Sequence, residues 1–154
     1  MQSPMNISEI FRHDKNFQDI MSNMLQTTLE ISFDGVMITE AGPGYPIVYV
    51  NPSFCVMTGY TTEELIGKSP ALLQGEKTEQ YVLDDLKRKI EAGEVFHGKT
   101  KNYRKDGTEF IMEWKIVPIR DKTKKISHYL AIQREVTDDK LDFAAVGTKL
   151  PFSL

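Results

Sequence analysis

Cysteine is nearly absent from this chain, and its scarcity narrows the possible classes of protein. The 154 residues include a single cysteine, Cys55, which excludes an internal disulfide and a metal site built from cysteines. Such low use of cysteine is typical of a reducing compartment, so we expect a cytoplasmic protein.

Long hydrophobic runs and a surplus of either charge are also missing. No apolar stretch reaches the roughly 20 residues that a membrane-spanning helix needs, and the chain does not open with a signal-peptide pattern. The formal net charge is −3, which does not indicate a surface for polyanions. We therefore expect neither a membrane nor a nucleic acid as a partner.

Catalytic signatures are lacking as well. The three histidines, His13, His97 and His128, are scattered along the chain. The sequence shows no nucleophile–base pair, phosphate-binding loop or metal cluster. It therefore does not predict an enzyme.

The spacing of apolar residues divides the chain into blocks that predict helices and blocks that predict strands. Residues 1–14 are expected to form a weakly ordered arm, and apolar residues at helical spacing predict a helix from Asn16 to about Ser32. Two β-branched runs, at residues 36–39 and 47–51, flank a segment rich in glycine and proline. This arrangement predicts a hairpin.

Short helices are predicted in the middle of the chain. Pro52 suits the first turn of one helix, and the spacing of Thr61 and Glu64 is that of a capping box that starts a second. Thr78 is expected to cap a longer helix that stops at Gly93.

The last third of the chain reads as strands. Residues 95–104 and 109–119 flank a strong turn signal, Lys-Asp-Gly-Thr, and residues 126–136 form a further strand. Two strands, then helices, then three strands predict an α+β fold with a mostly antiparallel sheet.

Several short segments of the chain form a recognisable series. They are Asp34-Gly-Val36, Tyr49-Val-Asn-Pro-Ser-Phe54, Thr58-Gly-Tyr60, Glu63-Glu-Leu-Ile-Gly-Lys68, Asn102-Tyr-Arg-Lys-Asp-Gly107, Pro118-Ile-Arg-Asp121, and Ala131-Ile-Gln133 before Val136-Thr-Asp138. With the order of elements, these segments resemble the PAS domain, and within it the light-oxygen-voltage (LOV) branch that binds flavin. The resemblance covers about residues 30–138 and implies a five-stranded antiparallel sheet with short helices on one face and an N-terminal flanking helix.

The resemblance also implies a division of the chain into three parts. Residues 1–30 are expected to be an N-terminal arm and flanking helix, and residues 31–138 the LOV-like PAS domain. Residues 139–154 are a C-terminal tail or a linker to a downstream output domain.

One stretch shows both the likeness and a departure from it. Residues 67–75 read Gly-Lys-Ser-Pro-Ala-Leu-Leu-Gln-Gly, where LOV domains read Gly-x-Asn-Cys-Arg-Phe-Leu-Gln-Gly. Pro70 stands in place of the cysteine that bonds to the photoexcited flavin. Ser69 and Ala71 replace the asparagine and arginine that contact the ribityl chain and the phosphate. The resemblance therefore implies a flavin pocket without the cysteinyl photochemistry.

Three amide side chains match flavin-contacting positions of the LOV pattern. Gln74 matches the glutamine near the ribityl chain, Asn102 an asparagine at the pyrimidine edge, and Gln133 the glutamine at the O4/N5 edge. Because side chains alternate along a strand, an inward Asn102 brings Thr100 and Gly98 to the same face. Their small size leaves space for a ligand.

Other positions complete the implied pocket. Phe54 and Leu73 match apolar walls, and Lys87 stands where an arginine can meet the phosphate of FMN. Met112 replaces a second pyrimidine-reading asparagine, and its thioether is only a weak acceptor. The neighbourhood of Trp114 also resembles redox-sensing PAS domains that hold FAD, so FMN and FAD both remain open.

Three side chains have alternative interpretations. Trp114 is either plain core or, together with Tyr129, a source of electrons for a flavin. Cys55 is expected to be a small buried hydrophobe rather than a reactive thiol. Haem-binding PAS domains have a histidine on the long helix; residues 78–92 have none, which disfavours haem.

The resemblance implies a sensory or signalling module that binds a flavin and senses redox state or blue light without a cysteinyl adduct. The alternative is a ligand-free or small-ligand module for dimerisation and signal relay. The outer face of the last two strands carries Ile111, Val117, Leu130 and Ile132, and the N-terminal helix carries an apolar stripe. Since a sheet that is apolar on both sides needs a second cover, we expect a homodimer built on that helix and the outer sheet face.

Overall fold

The computed structural model describes residues 6–137. Its elements confirm the α+β fold with five strands that the sequence predicts. They are α1 (Ile7–Phe11), α2 (Phe17–Ile31), β1 (Gly35–Glu40), β2 (Ile47–Val50), α3 (Pro52–Thr58), α4 (Thr62–Leu65), a 3₁₀ helix (Pro70–Leu73), α5 (Gln80–Ala92), β3 (Phe96–Tyr103), β4 (Glu109–Arg120) and β5 (Ile126–Val136).

The last strand along the described chain lies in the middle of the sheet. The strand order is β2-β1-β5-β4-β3, and all neighbours are antiparallel. Ala131 of β5 lies opposite Met37 of β1 on one side and Ile116 of β4 on the other. Any change in β5 therefore reaches both halves of the sheet directly.

The core lies between one face of the sheet and the helices that follow β2. Helix α3 contacts β1 and β5, α4 contacts β2, and α5 contacts β3. Alternation along each strand sends apolar side chains to this inner face, where burial stabilises the fold. The buried set includes Met37, Ile47, Val50, Phe54, Leu65, Leu73, Val82, Phe96, Phe110, Met112, Trp114, Ile116, Tyr129 and Ala131.

Asn51 joins three elements through one buried side chain. The sequence predicts it at the end of a strand, whereas the structure makes it the N-cap of α3. Its Oδ1 accepts from the backbone N–H of Val36 at 2.8 Å and of Phe54 at 3.0 Å. Its Nδ2 donates to the carbonyls of Leu29 at 2.9 Å and Asp34 at 3.0 Å. One side chain thus fixes the end of α2, the start of β1 and the start of α3.

The predicted cap of the long helix is wrong. Helix α5 begins at Gln80 after Glu79, which gives it no side-chain cap. The hydroxyl of Thr78 is engaged elsewhere: it accepts from the N–H of Gly75 at 2.9 Å and donates to the carbonyl of Lys101 at 2.7 Å. Thr78 therefore ties the segment before α5 to β3 instead of starting the helix.

The N-terminal region contains more helix than the sequence predicts. Helix α1 lies within the expected arm, and Asn6 caps it by accepting from the N–H of Ser8. Helix α2 has half-buried apolar residues such as Phe17 and Leu29, while Leu25 and Ile31 are exposed. Among residues 6–137, no helix has the length and apolar character required to span a bilayer.

Candidate functional site

A cavity of about 330 Å³ lies between the inner face of the sheet and the segment formed by the 3₁₀ helix and α5. Strands β1, β3, β4 and β5 all contribute to its walls. Its lining residues are Met37, Thr39, Tyr45, Ser69, Pro70, Ala71, Leu73, Gln74, Gln80, Leu83, Asp84, Leu86, Lys87, Ile90, Asn102, Met112, Trp114, Ile116, Tyr129, Ala131 and Gln133.

All but one of the site residues expected from the sequence line this cavity. Phe54 is the exception: it is fully buried in the core on α3. A Cβ built on Gly35 would lie only 3.2 Å from the Cα of Phe54. Helix α3 therefore packs closely on β1, and the side chain of Phe54 lies in the core rather than at the cavity. The expected residues that do line the cavity are Ser69, Pro70, Leu73, Gln74, Lys87, Asn102, Met112, Trp114 and Gln133.

Gln133 is the most unusual polar residue of the cavity. Its side chain is 2% exposed, and neither Oε1 nor Nε2 has a hydrogen-bond partner. It lies on β5 between Gly35 and Trp114 in the adjoining strands. An unsatisfied buried amide costs about 1–3 kcal/mol, and it offers both donors and acceptors. The side chain is therefore available to a ligand that presents a polar edge.

Asn102 supplies a second amide at the cavity. It is also 2% exposed, and its Nδ2 donates to the Sδ of Met112 at 3.6 Å. A thioether is a weak acceptor, so a carbonyl oxygen of a ligand competes well for this donor. Asn102 and Gln133 thus place two buried amides among the mainly apolar side chains that line the cavity.

Trp114 takes part in both the core and the cavity. Its ring lies 5.2 Å from that of Phe96, centroid to centroid, at an interplanar angle of 50°. The facing residue on β3 is Gly98, where a Cβ would lie 2.3 Å from the ring of Phe96. Glycine at this position therefore lets the two rings pack together, while the indole still lines the cavity.

Two glycines set the path of residues 67–75. Gly67 adopts a φ of +81°, a backbone conformation that residues with a Cβ rarely adopt. A Cβ on Gly75 would lie 2.3 Å from the ring of Tyr103. Backbone hydrogen bonds tie this segment to β2, from Ile47 to the carbonyl of Lys68 at 2.9 Å and from Gly67 to that of Ile47 at 2.8 Å. The glycine frame that resembles LOV domains thus has a structural role here.

Between these glycines, the 3₁₀ helix brings its residues to the cavity. Pro70 opens the helix, and Ser69 caps it by accepting from the N–H of Ala71 at 3.2 Å. Leu73 is buried. Gln74 is exposed and, with the exposed lining residues Asp84 and Lys87, forms the mouth of the cavity. Pro70 presents neither a thiol nor an N–H, so it contributes a purely apolar wall.

The charges at the mouth nearly cancel. Lys87 is the one cationic side chain among the described residues that line the cavity, and Asp84 lies three residues before it on α5. The carboxylate of Asp84 accepts from Nε2 of Gln80 at 2.9 Å. A doubly charged phosphate would meet little net positive charge here.

Tyr45 lines the cavity, although the sequence does not predict it there. The structure shows its ring edge-on to that of Tyr129, with centroids 5.8 Å apart and an interplanar angle of 73°. The Tyr129 hydroxyl donates to the carbonyl of Ile90 at 3.2 Å. Burial, and secondarily Tyr45, raises the pKa of Tyr129 above its ordinary value, while Arg120 opposes the rise. The glycine-rich turn before Tyr45 was a sequence signal for this position, since it places an aromatic residue just before the start of β2.

Cys55 lies outside the cavity lining. It is half-buried on α3, and its Sγ lies 3.6 Å from the hydroxyl of Thr62. It lines a separate, open groove with Gln26 of α2 and Tyr49 of β2. Among residues 6–137, no group of three or more His, Cys, Asp or Glu is arranged to hold a metal ion.

Known proteins resemble the chain over most of its length. The profile of the PAS domain family matches residues 34–138. Phototropin-1A of Oryza sativa subsp. japonica is 35% identical over 118 residues, which cover 76% of this chain and 13% of that protein. A blue-light photoreceptor of Listeria innocua serovar 6a is also 35% identical over 118 residues, covering 76% of this chain and 46% of that protein.

A solved light-oxygen-voltage domain, studied with a flavin analogue, has the same fold. It is 30% identical with a TM-score of 0.70, and the match covers 84% of this chain and 92% of that one. The chain spans less than half the length of either curated relative named above. The profile match covers more than half of the chain, and the five-stranded antiparallel sheet agrees with it. The chain therefore belongs to the PAS domain family, and light-oxygen-voltage domains are among its relatives.

Proposed function

We propose that this chain is a sensory module that holds a flavin in the cavity and responds to redox state or blue light without a cysteinyl adduct. The observation that carries the proposal is the amide of Gln133, which is buried at the cavity with both polar atoms unpartnered. A flavin analogue was studied in one solved relative, which favours this class of ligand.

The lining residues fit a flat heteroaromatic ring. The volume of about 330 Å³ lies within the range of roughly 300–1,000 Å³ typical of small-molecule sites. Gln133 and Asn102 would meet the polar edge of the ring, since amides both donate and accept. Leu73, Met112 and Trp114 would supply its apolar walls.

The mouth would hold the rest of the cofactor. Ser69 and Gln74 offer polar groups for a ribityl chain, and Lys87 would meet a phosphate. Because Asp84 offsets Lys87, we expect the phosphate to add little to affinity. We propose FMN or FAD as the cofactor, with the ring rather than the phosphate as the recognised part.

A bound flavin would supply a ring that takes up electrons from a reductant, or from Trp114 or Tyr129 when it is illuminated, together with protons. Gln133 can present either its N–H₂ or its carbonyl to the ring, because neither atom is bonded to the protein. Its amide can therefore follow a change at the ring edge without breaking a protein hydrogen bond. Pro70 excludes a thiol from the position where LOV domains have one.

The signal would leave through the central strand. Two residues beyond Gln133, Glu135 accepts from Nη2 of Arg104 at 2.8 Å, which pins the end of β5 to the β3–β4 hairpin. A shift of Gln133 would alter this contact and the chain that follows. We propose residues 31–138 as the sensory domain, with residues 1–30 as a flanking segment and residues 139–154 as a tail or a linker to an output domain. Residues 138–154 lie outside the described structure.

The absorption spectrum of the purified protein tests the proposal. We expect a flavin band, or its appearance after the protein is incubated with riboflavin, FMN or FAD. Gln133→Leu should weaken flavin binding about tenfold or more, because a ring edge then loses its partner. Gln18→Leu, an exposed change on α2, should leave the affinity unchanged. Failure of the wild-type protein to bind any of the three flavins would refute the proposal.

Pro70→Cys tests the pose of the ring. If a flavin lies against the 3₁₀ helix, illumination should bleach the visible band of this variant, and the band should recover in the dark. Pro70→Ser is the matched control, since it lacks the thiol, and it should show no such change. A variant that binds flavin but does not bleach would argue for another pose.

A ligand-free dimerisation and relay module is the second candidate. It is favoured by the engagement of Asn102 with Met112 and by the neutral mouth. In that case the purified protein would be a colourless, stable dimer that takes up no flavin.

We propose a homodimer formed through the N-terminal helix and the outer sheet face. Leu25 and Ile31 of α2 are exposed, as are Phe33 before β1 and Ile132 on β5. Together these groups would form the apolar patch that an interaction surface requires.

We further propose that the chain acts as a sensor in the cytoplasm rather than as an enzyme. The size of the cavity supports this, because a flavin would leave little room for a second substrate. The single cysteine supports a reducing compartment.

A further inference from the structure

We propose that Tyr45 is a positioning residue that closes one end of the cavity and slows the release of a flat aromatic ligand. Its side chain lines the cavity, although the residue is 38% exposed. The ring therefore stands at the boundary between cavity and solvent. The identity of the ligand rests on the proposed function, whereas closure is a property of this chain alone.

The backbone of Tyr45 is held in an uncommon conformation. Its φ is +49°, a region that residues with a side chain seldom occupy. The turn is closed by hydrogen bonds from Tyr45 N–H to the carbonyl of Gly42 and from Glu40 N–H to that of Pro46, both at 3.0 Å. Such conformations persist where the surroundings impose them, and they are frequent at ligand clamps.

A second residue with positive φ provides a contrast. Lys124 has a φ of +66°, but it lies in the exposed turn between β4 and β5 and does not line the cavity. The backbone conformation alone therefore does not single out Tyr45. Its distinguishing feature is the ring that this conformation places at the cavity.

The ring of Tyr45 links three elements at one end of the cavity. It packs edge-on against Tyr129 of β5, a favourable aromatic geometry. The Tyr129 hydroxyl in turn donates to the carbonyl of Ile90 near the end of α5. The β1–β2 turn, β5 and α5 thus meet through two side chains.

This end lies far from the amide of Gln133. Tyr129 and Gln133 share the inner face of β5 and are four residues apart, a separation of roughly 13 Å along a strand. A ligand anchored at Gln133 would extend toward Tyr129, where Tyr45 faces solvent. Tyr45 would thus affect how long the ligand stays more than how its polar edge is read.

Quenching of tryptophan fluorescence tests the closure without any ligand. Trp114 is the single tryptophan of the chain, and it is buried and lines the cavity. If Tyr45 closes the cavity, acrylamide should quench Trp114 more strongly in Tyr45→Ala and Tyr45→Gly than in the wild type. Tyr45→Phe keeps the ring and should behave as the wild type.

The release of FMN from the loaded protein is the second measurement. We expect release about three- to tenfold faster in the Ala and Gly variants, the factor that one aromatic contact supports. The time course of bound flavin after dilution measures it. Lys124→Gly, which relieves the same kind of backbone strain, and Tyr81→Ala, which removes an exposed tyrosine of α5, should leave both readouts unchanged.

The Gly variant separates closure from stability. Glycine tolerates a positive φ, so in Tyr45→Gly the relief of backbone strain should offset the lost contact with Tyr129. The unfolding midpoint should therefore stay near that of the wild type even though quenching and release increase. Wild-type quenching and release in both the Ala and Gly variants would overturn the proposal. If the wild-type protein takes up none of riboflavin, FMN and FAD, the proposed function fails, and the quenching comparison still decides whether Tyr45 closes the cavity.

Discussion

Two buried amides of this domain have opposite hydrogen-bonding environments. Asn51 is fully buried, and its side-chain amide makes four hydrogen bonds. Gln133 is almost as buried, and its amide makes none. The first amide holds the chain together, and the second is available to a ligand. The same functional group therefore has a structural role in one place and a proposed binding role in the other.

Replacing each amide with leucine should change stability in opposite directions. Without ligand, Gln133→Leu should raise the free energy of unfolding by about 1–3 kcal/mol, because it removes an unsatisfied buried group. Asn51→Leu should lower it by at least about 2–4 kcal/mol, because four backbone groups lose their partner. Denaturant titration of flavin-free protein measures both. A destabilised Gln133→Leu would indicate that this amide is bonded in solution.

Gly75 should not tolerate a side chain. A methyl group there would meet the ring of Tyr103, which is held because its hydroxyl accepts from the N–H of Lys77 at 2.9 Å. We expect Gly75→Ala to destabilise the fold by about 1–3 kcal/mol, as overpacking does. Gly42→Ala is the control, since no atom lies within 4 Å of its added Cβ. Equal thermal stability of the two variants would contradict this account.

At the scale of elements, the short helix α4 is stabilised by its cap. The hydroxyl of Thr61 accepts from the N–H of Glu64, and the carboxylate of Glu64 accepts from the N–H of Thr61. Lys105, beside the β3–β4 turn, donates to the same carboxylate. These contacts position α4 and its buried Leu65 just before residues 67–75.

The cap should make stability depend on pH. The hydrogen bond from Lys105, followed by that from Thr61, lowers the pKa of Glu64 below its ordinary value. A lowered pKa stabilises the fold above the pKa of the unfolded glutamate, and this contribution is lost as the pH falls through the folded value. Glu64→Gln should therefore lower the unfolding midpoint at neutral pH, and the difference should vanish in acid.

Thermal melts over a pH series test this expectation. Glu63→Gln is the matched control, because it removes an exposed carboxylate from the same helix without touching the cap. A Glu64→Gln difference that persists unchanged in acid would show that the charge of Glu64 has no part in it.

The capping box illustrates which elements the sequence could predict. Its two residues lie three apart, so local spacing was sufficient, as it was for Pro52 at the start of α3. Alternation along β3 likewise predicted that Thr100 shares a face with Asn102, and both are buried. These predictions depend on neighbours in sequence.

Long-range contacts account for what the sequence could not predict. The hydroxyl of Thr78 has a partner on β3, which overrides its local tendency to cap a helix. Packing against Gly35 places Phe54 in the core rather than at the cavity. The unsatisfied state of Gln133 becomes visible only when all its neighbours in space are known.

At the scale of the whole molecule, apolar surface remains uncovered. Phe33 is fully exposed beside β1, Leu25 is exposed on α2, and Ile132 lies on the outer face of β5. Burying each such side chain contributes about 1.5–3 kcal/mol. In a dimer with two-fold symmetry, each chain would cover these groups on its partner.

Dimerisation should be sensitive to charge at these positions. We expect the wild-type protein to sediment as a dimer, and Leu25→Asp or Ile132→Asp to weaken the dimer by roughly tenfold or more. Tyr81→Asp changes another exposed residue, on α5, and should leave the dimer intact. Sedimentation equilibrium over a concentration series measures the constants. A monomeric wild-type protein would contradict the proposed interface.

The central position of β5 has a consequence for biosynthesis. Strand β5 pairs with both β1 and β4, yet a ribosome makes it last among the described strands. Until residues 126–136 emerge, the β1–β2 hairpin and the β3–β4 hairpin each keep one edge open, and open edges are where chains aggregate. Nascent chains halted before Ile126 should therefore remain sensitive to protease and depend on chaperones. The final strand then joins the two hairpins into one sheet.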